Sequence, residues 1–139
     1  MNILFLCVAN SARSQMAEAL AKSMLGKKHN IQSAGSMPSG LIHPNAVIAM
    51  QEIDINIHDQ YSKDINELEK DFLENLDYVV TLCAEEVCPV VITKAKKLYW
   101  INEDPARDYK NPSQAHNEFA KVRNSLFNQL KEFMIKIEI

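Results

Sequence analysis

The run Ile3-Leu4-Phe5-Leu6-Cys7-Val8-Ala9-Asn10-Ser11-Ala12-Arg13-Ser14 constrains this chain more than any other stretch. Residues 3–6 are bulky and apolar, the pattern of a strand buried on both faces. Gln15-Met16-Ala17-Glu18-Ala19-Leu20-Ala21 is rich in helix formers. Only a short loop separates the two. Such a turn from strand to helix aims the loop N–H groups and the helix N-terminus at one point, which makes an anion cradle. Val8, Ala9, Asn10, Ser11, Ala12, Arg13 and Ser14 are its expected lining. Arg13 adds a planar, two-pronged donor suited to a tetrahedral oxyanion. The same positive field favours the thiolate of Cys7. One loop thereby supplies a binding site and an attacking sulfur. A strand-ending cysteine by itself is often inert core; the flanking strand, Asn10-Ser11, Ser14 and the immediate helix decide for the cradle.

The rest of the chain alternates apolar runs with helical patterns. Strands are expected at 2–7, 30–34, 78–83 and 98–101. Helices are expected near 14–26, 45–53, 63–76 and 113–136. Ile65, Leu68, Phe72, Leu73 and Leu76 carry the third helix; Phe119, Val122, Leu126, Leu130 and Phe133 lie on one face of the last. Alternation of this kind predicts an α/β fold: a three-layer sandwich, with a four-stranded parallel sheet and helices on both faces. The strands' carboxyl ends then share one edge, so Cys7, Ser33, Cys83 and the acidic segment after Ile101 should meet on one rim.

With 139 residues and no linker or repeat, residues 1–139 are read as a single domain. The net charge of −3 gives no general reason to bind nucleic acid or acidic lipid. The first apolar stretch is too short for a signal peptide or membrane span, so a cytoplasmic, monomeric protein with no membrane partner is expected. Three cysteines in a reducing compartment do not suit structural disulfides. Cys83 and Cys88 could be small core side chains. A zinc pair is disfavoured, because their spacing is wide and no histidine is near in sequence. A redox pair is the sharper reading, since a thiol carrying an oxidised adduct needs a second thiol to remove it. If 84–88 is helical, the two Cα atoms stand roughly 8–9 Å apart. A disulfide rarely spans more than about 7 Å, so that turn would have to unwind.

These residues resemble the thioredoxin-coupled arsenate reductases, which share a fold with low-molecular-weight protein tyrosine phosphatases. The resemblance spans nearly the whole chain. It rests on Cys7–Ser14 with Gln15-Met16-Ala17-Glu18, on Ser33-Ala34-Gly35, on Pro44–Ile57, on Val79–Cys83 with Cys88-Pro89, and on Trp100–Pro105. It implies that Cys7 attacks arsenate held by the loop amides and Arg13, and that Asp104 is the general acid. It further implies that Cys83 attacks Cys7 to release arsenite, and that Cys88 then attacks Cys83. The resulting disulfide would be presented to thioredoxin or another thiol reductant. Phosphate, which has no reductive exit, requires only Cys7, Arg13 and Asp104.

The chain departs from the family pattern in places. Ala12 stands where relatives often have cysteine, and the Cys83/Cys88 spacing is two residues tighter. Some relatives hold potassium through positions matching Asn10, Glu18 and Ser33. The fourth, acidic position falls at Lys63-Asp64, so either potassium or the Lys63 ammonium is expected there; no other cofactor is expected. Asp104-Pro105 also reads as a plain turn. The competing function is a phosphatase acting on phosphotyrosine or another phosphomonoester, with Cys83 and Cys88 as redox regulators. Ala106-Arg107 in place of aromatic residues after Asp104-Pro105 weighs against it. A non-enzymatic thiol sensor or anion-binding module is the third reading. Arg107 is expected in solvent, Trp100 in the core, and His29, His43, His58 and His116 on the surface or in turns.

Overall fold

A computed structural model describes residues 1–83, 91 and 93–138. Four parallel strands form one sheet: β1 (Asn2–Cys7), β2 (Asn30–Gly35), β3 (Tyr78–Thr81) and β4 (Lys96–Tyr99), in the order β2-β1-β3-β4. Leu6 pairs with Ala34 on one side and with Thr81 on the other. The chain leaves β1 toward one edge and returns to place β3 on the opposite side. The switch point of the topology therefore lies at the carboxyl end of β1, where open α/β sheets bind ligands.

Strand periodicity divides the core in two. Ile3, Phe5, Ile31 and Val80 face one layer with α1 (Arg13–Leu25), α2 (Pro44–Gln51) and α4 (Pro112–Lys136). Leu4, Leu6, Ala34 and Val79 face the other, with Leu68, Phe72 and Leu76. The expected three-layer sandwich is thus present. Trp100 packs beside Phe5 and Phe133, at ring-centroid distances of 6.0 and 5.8 Å.

Local chemistry sets the helix limits. Gly26, at φ 84°, ends α1 in a conformation that costs a residue with a Cβ more than glycine. His43 caps α2 and Asn111 caps α4, each followed by proline in the first turn. Two expectations need correction. Residues 63–76 do not form one helix. Asp64 and Glu67 close a capping box on a single 3-10 turn at Ile65–Glu67, Leu68 is extended, and α3 is only Lys70–Glu74. The apolar spacing marked a buried face rather than a continuous helix. The last strand is Lys96–Tyr99 instead of 98–101; β4 is an edge strand whose lysines remain in water. The expected turn at 84–88, with Cys88, lies outside the described residues. Among those described, no helix is long and apolar enough to cross a membrane.

Candidate active site

The loop after β1 is held from outside by its carbonyls. Val8 O accepts from Met37 N at 2.9 Å, Ala9 O from Ser39 N at 3.0 Å, and Ser11 O from His43 N at 2.9 Å. Ser62 Oγ also donates to Ala9 O, at 3.0 Å. In a trans peptide the next N–H points the opposite way. The amides of Ala9, Asn10 and Ala12 are therefore turned inward. Asn10 makes the turn at φ 49°, a left-handed conformation that asparagine tolerates better than most residues. Gly35, at the end of β2, presses on the loop's back. A Cβ there would lie 2.3 Å from Val8 O.

Arg13 opens α1 and is 2% exposed. Its Nη1 donates to Asn102 O at 3.0 Å, and its Nη2 stands 3.7 Å from Asp104 Oδ2. The segment after β4 therefore carries Asp104 to the cradle. The other oxygen, Oδ1, accepts from Ala106 N at 3.0 Å. One oxygen of Asp104 thus closes the Asp-Pro turn while the other faces the guanidinium.

Cys7 is a buried free thiol. Its Sγ is 2.8 Å from Ser14 Oγ, with a buried hydrogen-bond network behind that contact. Lys63 N–H can only donate, and it meets Asn10 Oδ1 at 2.9 Å. Asn10 Nδ2 must then donate, and it does so to Ser14 Oγ at 2.7 Å and to Ser33 Oγ at 3.0 Å. Ser33 gives its single hydrogen to Glu18 Oε1 at 2.7 Å. Ser14 Oγ thus accepts from Asn10 and also meets Cys7 Sγ, where either atom can be the donor. Gln15 Nε2 fixes the same asparagine from the other side, at 2.9 Å from Oδ1. Gln60 Nε2 in turn holds Gln15 Oε1, at 2.8 Å.

Cys83 is 2% exposed, just past β3, and is disulfide-bonded. The preceding Leu82 N donates to Leu6 O at 2.9 Å, so Cys83 follows a residue paired directly beside β1. Cys7, Ser33, Cys83 and Asp104 do share one rim, as expected. Val8, Ala9, Asn10, Ser11, Ala12, Arg13 and Ser14 form the loop and helix start. Cys88 lies outside the described residues.

Asn10, Glu18 and Ser33 also come together, but they do not fit a potassium ion. Glu18 Oε2 is 2.7 Å from Lys22 Nζ and Oε1 is 3.6 Å from Lys63 Nζ. The oxygens of Asn10 and Ser33 already receive the donors described above. Two ammonium groups flank one buried carboxylate where the ion would need room and negative charge.

Gln60, Asn102 and His43 escaped the sequence reading. Asn102 shapes Arg13 through a main-chain carbonyl, which no side-chain pattern reveals. His43 is tied to the loop by its own N–H, and its ring centroid lies 4.7 Å from that of Phe119, the planes tilted by 35°. Burial lowers His43 from its ordinary imidazole value, while nearby Asp104 opposes that shift. The signal available was His43-Pro44, a helix start directly after a turn-rich stretch.

Comparison with known proteins agrees with this geometry. Residues 2–138 match the low molecular weight phosphotyrosine protein phosphatase family. An arsenate reductase of Bacillus subtilis is 45% identical over 133 residues, covering 94% of this chain and 93% of the relative. A solved arsenate reductase in the phosphate-binding state has a TM-score of 0.75 at 28% identity, covering 97% of each chain. A thioredoxin-dependent arsenate reductase of Corynebacterium glutamicum has a TM-score of 0.67 at 29% identity, over 96% of this chain and 62% of that one. The chain therefore belongs to the low-molecular-weight phosphotyrosine protein phosphatase family, among its arsenate reductases.

Proposed function

We propose that this protein reduces arsenate to arsenite, with Cys7 as the nucleophile and a thiol relay as the source of electrons. The observation that carries the reading is the meeting of Cys7, Arg13 and Asp104 around the loop, with Cys83 following the adjoining strand end. The inward amides and Arg13 bind the tetrahedral oxyanion and neutralise its charge. The Cys7 thiolate attacks arsenic, and one arsenate oxygen leaves as water after taking a proton delivered by Asp104 as general acid. The adduct still contains arsenic(V). Attack of the Cys83 thiolate on Cys7 sulfur forms an S–S bond and breaks the S–As bond. The bonding pair stays on arsenic, which leaves as arsenite. Attack of the Cys88 thiolate on Cys83 then frees Cys7, and a dithiol such as thioredoxin reduces the Cys83–Cys88 bond. Two thiols supply the two electrons that arsenic(V) accepts. The thioredoxin dependence of the Corynebacterium relative supports this choice of reductant.

Phosphomonoester hydrolysis is the second reading, favoured by the family match and by a Cys/Arg/Asp set that suffices for it. One paired assay separates them: arsenate turnover with a thioredoxin system, beside hydrolysis of an aryl phosphate. Cys7→Ser abolishes both. Cys83→Ser and Cys88→Ser abolish arsenate turnover and leave hydrolysis intact. Normal thioredoxin-linked turnover by Cys88→Ser would overturn the relay as drawn.

A further inference from the structure

The segment that carries Asp104 to the cradle, residues 100–111, is neither helix nor strand. Its first part is pinned to the sheet: Trp100 N donates to Thr81 O at 2.9 Å, and Asn102 N to Leu82 O at 3.0 Å. Asp104 lies beyond these bonds. Its side chain is 44% exposed, and an ion pair at 3.7 Å from Arg13 is too weak to fix it alone. The residue after it is held more firmly. Pro105 is buried, and its carbonyl accepts from Arg107 N at 3.0 Å and from the Tyr109 hydroxyl at 2.7 Å. The same hydroxyl stands 3.2 Å from Arg107 Nε. A guanidinium only donates and a carbonyl only accepts. The Tyr109 oxygen therefore receives from Arg107, and its one hydrogen goes to Pro105. The Arg107 guanidinium also lies 5.5 Å from the Tyr109 ring centroid. Its Nη2 is 3.7 Å from Glu118 Oε2 on α4, and Lys121 Nζ backs Glu118 at 3.1 Å. The turn that bears Asp104 is thus tied to the last helix through Tyr109 and Arg107, neither of which the reaction above uses.

We infer that Tyr109 is a positioning residue for Asp104: its hydroxyl, braced by Arg107 and Glu118, holds the Asp104-Pro105 turn so that the Asp104 carboxyl stays beside Arg13 at the cradle. Two opposed consequences follow from that placement. A carboxyl held beside the oxyanion's own guanidinium is in place to deliver a proton. As a carboxylate in the same place, it competes with the oxyanion for Arg13 and repels it. Releasing the turn relaxes both effects. Proton delivery falls, while binding of an unreactive oxyanion tightens. A general loosening of the site would instead weaken binding and chemistry together. The inference rests on Asp104 being the general acid of the proposed reaction, but not on arsenate being its substrate.

The test is a double-mutant cycle with Asp104, read by calorimetry with inorganic phosphate and by kcat. Tyr109→Phe keeps the ring against Arg107 and removes only the hydroxyl. It is expected to bind phosphate about two- to fivefold more tightly at pH 7, the scale of an exposed ion pair. Its kcat, on whichever substrate the unaltered protein turns over, is expected to fall about tenfold. In the Asp104→Asn background the same substitution should change neither quantity. Arg107→Lys keeps the charge but not the planar donor, and should move both quantities in the same directions. It serves if circular dichroism shows Tyr109→Phe unfolded. An unchanged kcat, phosphate binding that fails to tighten, or effects of equal size with and without Asp104 would each overturn the proposal. So would a protein that binds no phosphate. Failure of the arsenate reading is a separate result: the unaltered protein would hydrolyse aryl phosphate without turning over arsenate, and the cycle would still be read.

Discussion

At the scale of single residues, the reactive centre depends on atoms that never touch the anion. Ser14 is the sharpest case, because its hydroxyl lies 2.8 Å from the sulfur of Cys7 and donates to it when Cys7 acts as the thiolate of the proposed reaction. A hydrogen bond to a charged group contributes about 1.5–3 kcal/mol. Ser14→Ala is therefore expected to slow Cys7 alkylation at neutral pH by about tenfold while the protein stays folded, as site-resolved alkylation and circular dichroism would show. Gly35→Ala tests the loop from behind. The added methyl meets a main-chain oxygen rather than a flexible side-chain end, so the loop itself must give way. Overpacking of this kind costs about 1–3 kcal/mol, and phosphate affinity measured by calorimetry should fall with it. The sequence discloses Cys7, Asn10, Arg13 and Ser14 because strand, loop and helix start are contiguous. It does not disclose what Gln60 and Asn102 do, since these arrive through tertiary contacts and Asn102 acts on Arg13 through a main-chain carbonyl.

Among the elements, legibility tracks how far local pattern and tertiary need coincide. The helix Pro112–Lys136 was readable over nearly its full length, because its apolar stripe is also its packing face. Residues 63–76 misled because Asp64 and Glu69 both stand at N-cap positions, splitting one apolar period between two turns. The helix Pro44–Gln51 links scaffold and site, since its cap residue His43 also holds Ser11 O. Nδ1 of His43 accepts from Asn45 N at 3.1 Å, a bond that is lost when that nitrogen binds a proton. Burial lowers His43 in the folded state, so the unfolded chain binds more protons once pH falls below the ordinary imidazole range near 6.5. The His43 contribution to stability is thus present above that range and lost as pH falls through the folded value. Asp104, the charged neighbour opposing the shift, reduces this loss without reversing it. His43→Asn keeps a capping side chain and removes the titration. Its unfolding midpoint is expected to fall less between pH 7 and pH 5 than that of the unaltered protein; an equal fall would refute the linkage.

For the molecule as a whole, the sheet converts separated sequence segments into one site. Nothing in the amino-acid pattern states the order β2-β1-β3-β4, yet parallel alternation alone requires the four carboxyl ends to share an edge. Cys7, Ser33, Cys83 and Asp104 were therefore predictable as neighbours before their contacts were. The protein carries a net charge of −3, so an oxyanion is drawn in by the local cradle against the overall field. Binding then depends chiefly on Arg13, whose guanidinium is already oriented by Asn102 O and faces Asp104 at 3.7 Å. Asp104 is 44% exposed, so this ion pair is weak and an incoming oxyanion can compete with it. A ligand that binds only the folded state stabilises it by mass action, by about 2.7 kcal/mol at a hundredfold excess over its dissociation constant. Saturating phosphate or arsenate is thus expected to raise the unfolding midpoint by several degrees. Arg13→Met should remove that increment, whereas Asp104→Asn, which frees the guanidinium of its competing carboxylate, should retain or enlarge it while slowing chemistry. A midpoint shift in Arg13→Met as large as in the unaltered protein would place the oxyanion elsewhere on the molecule.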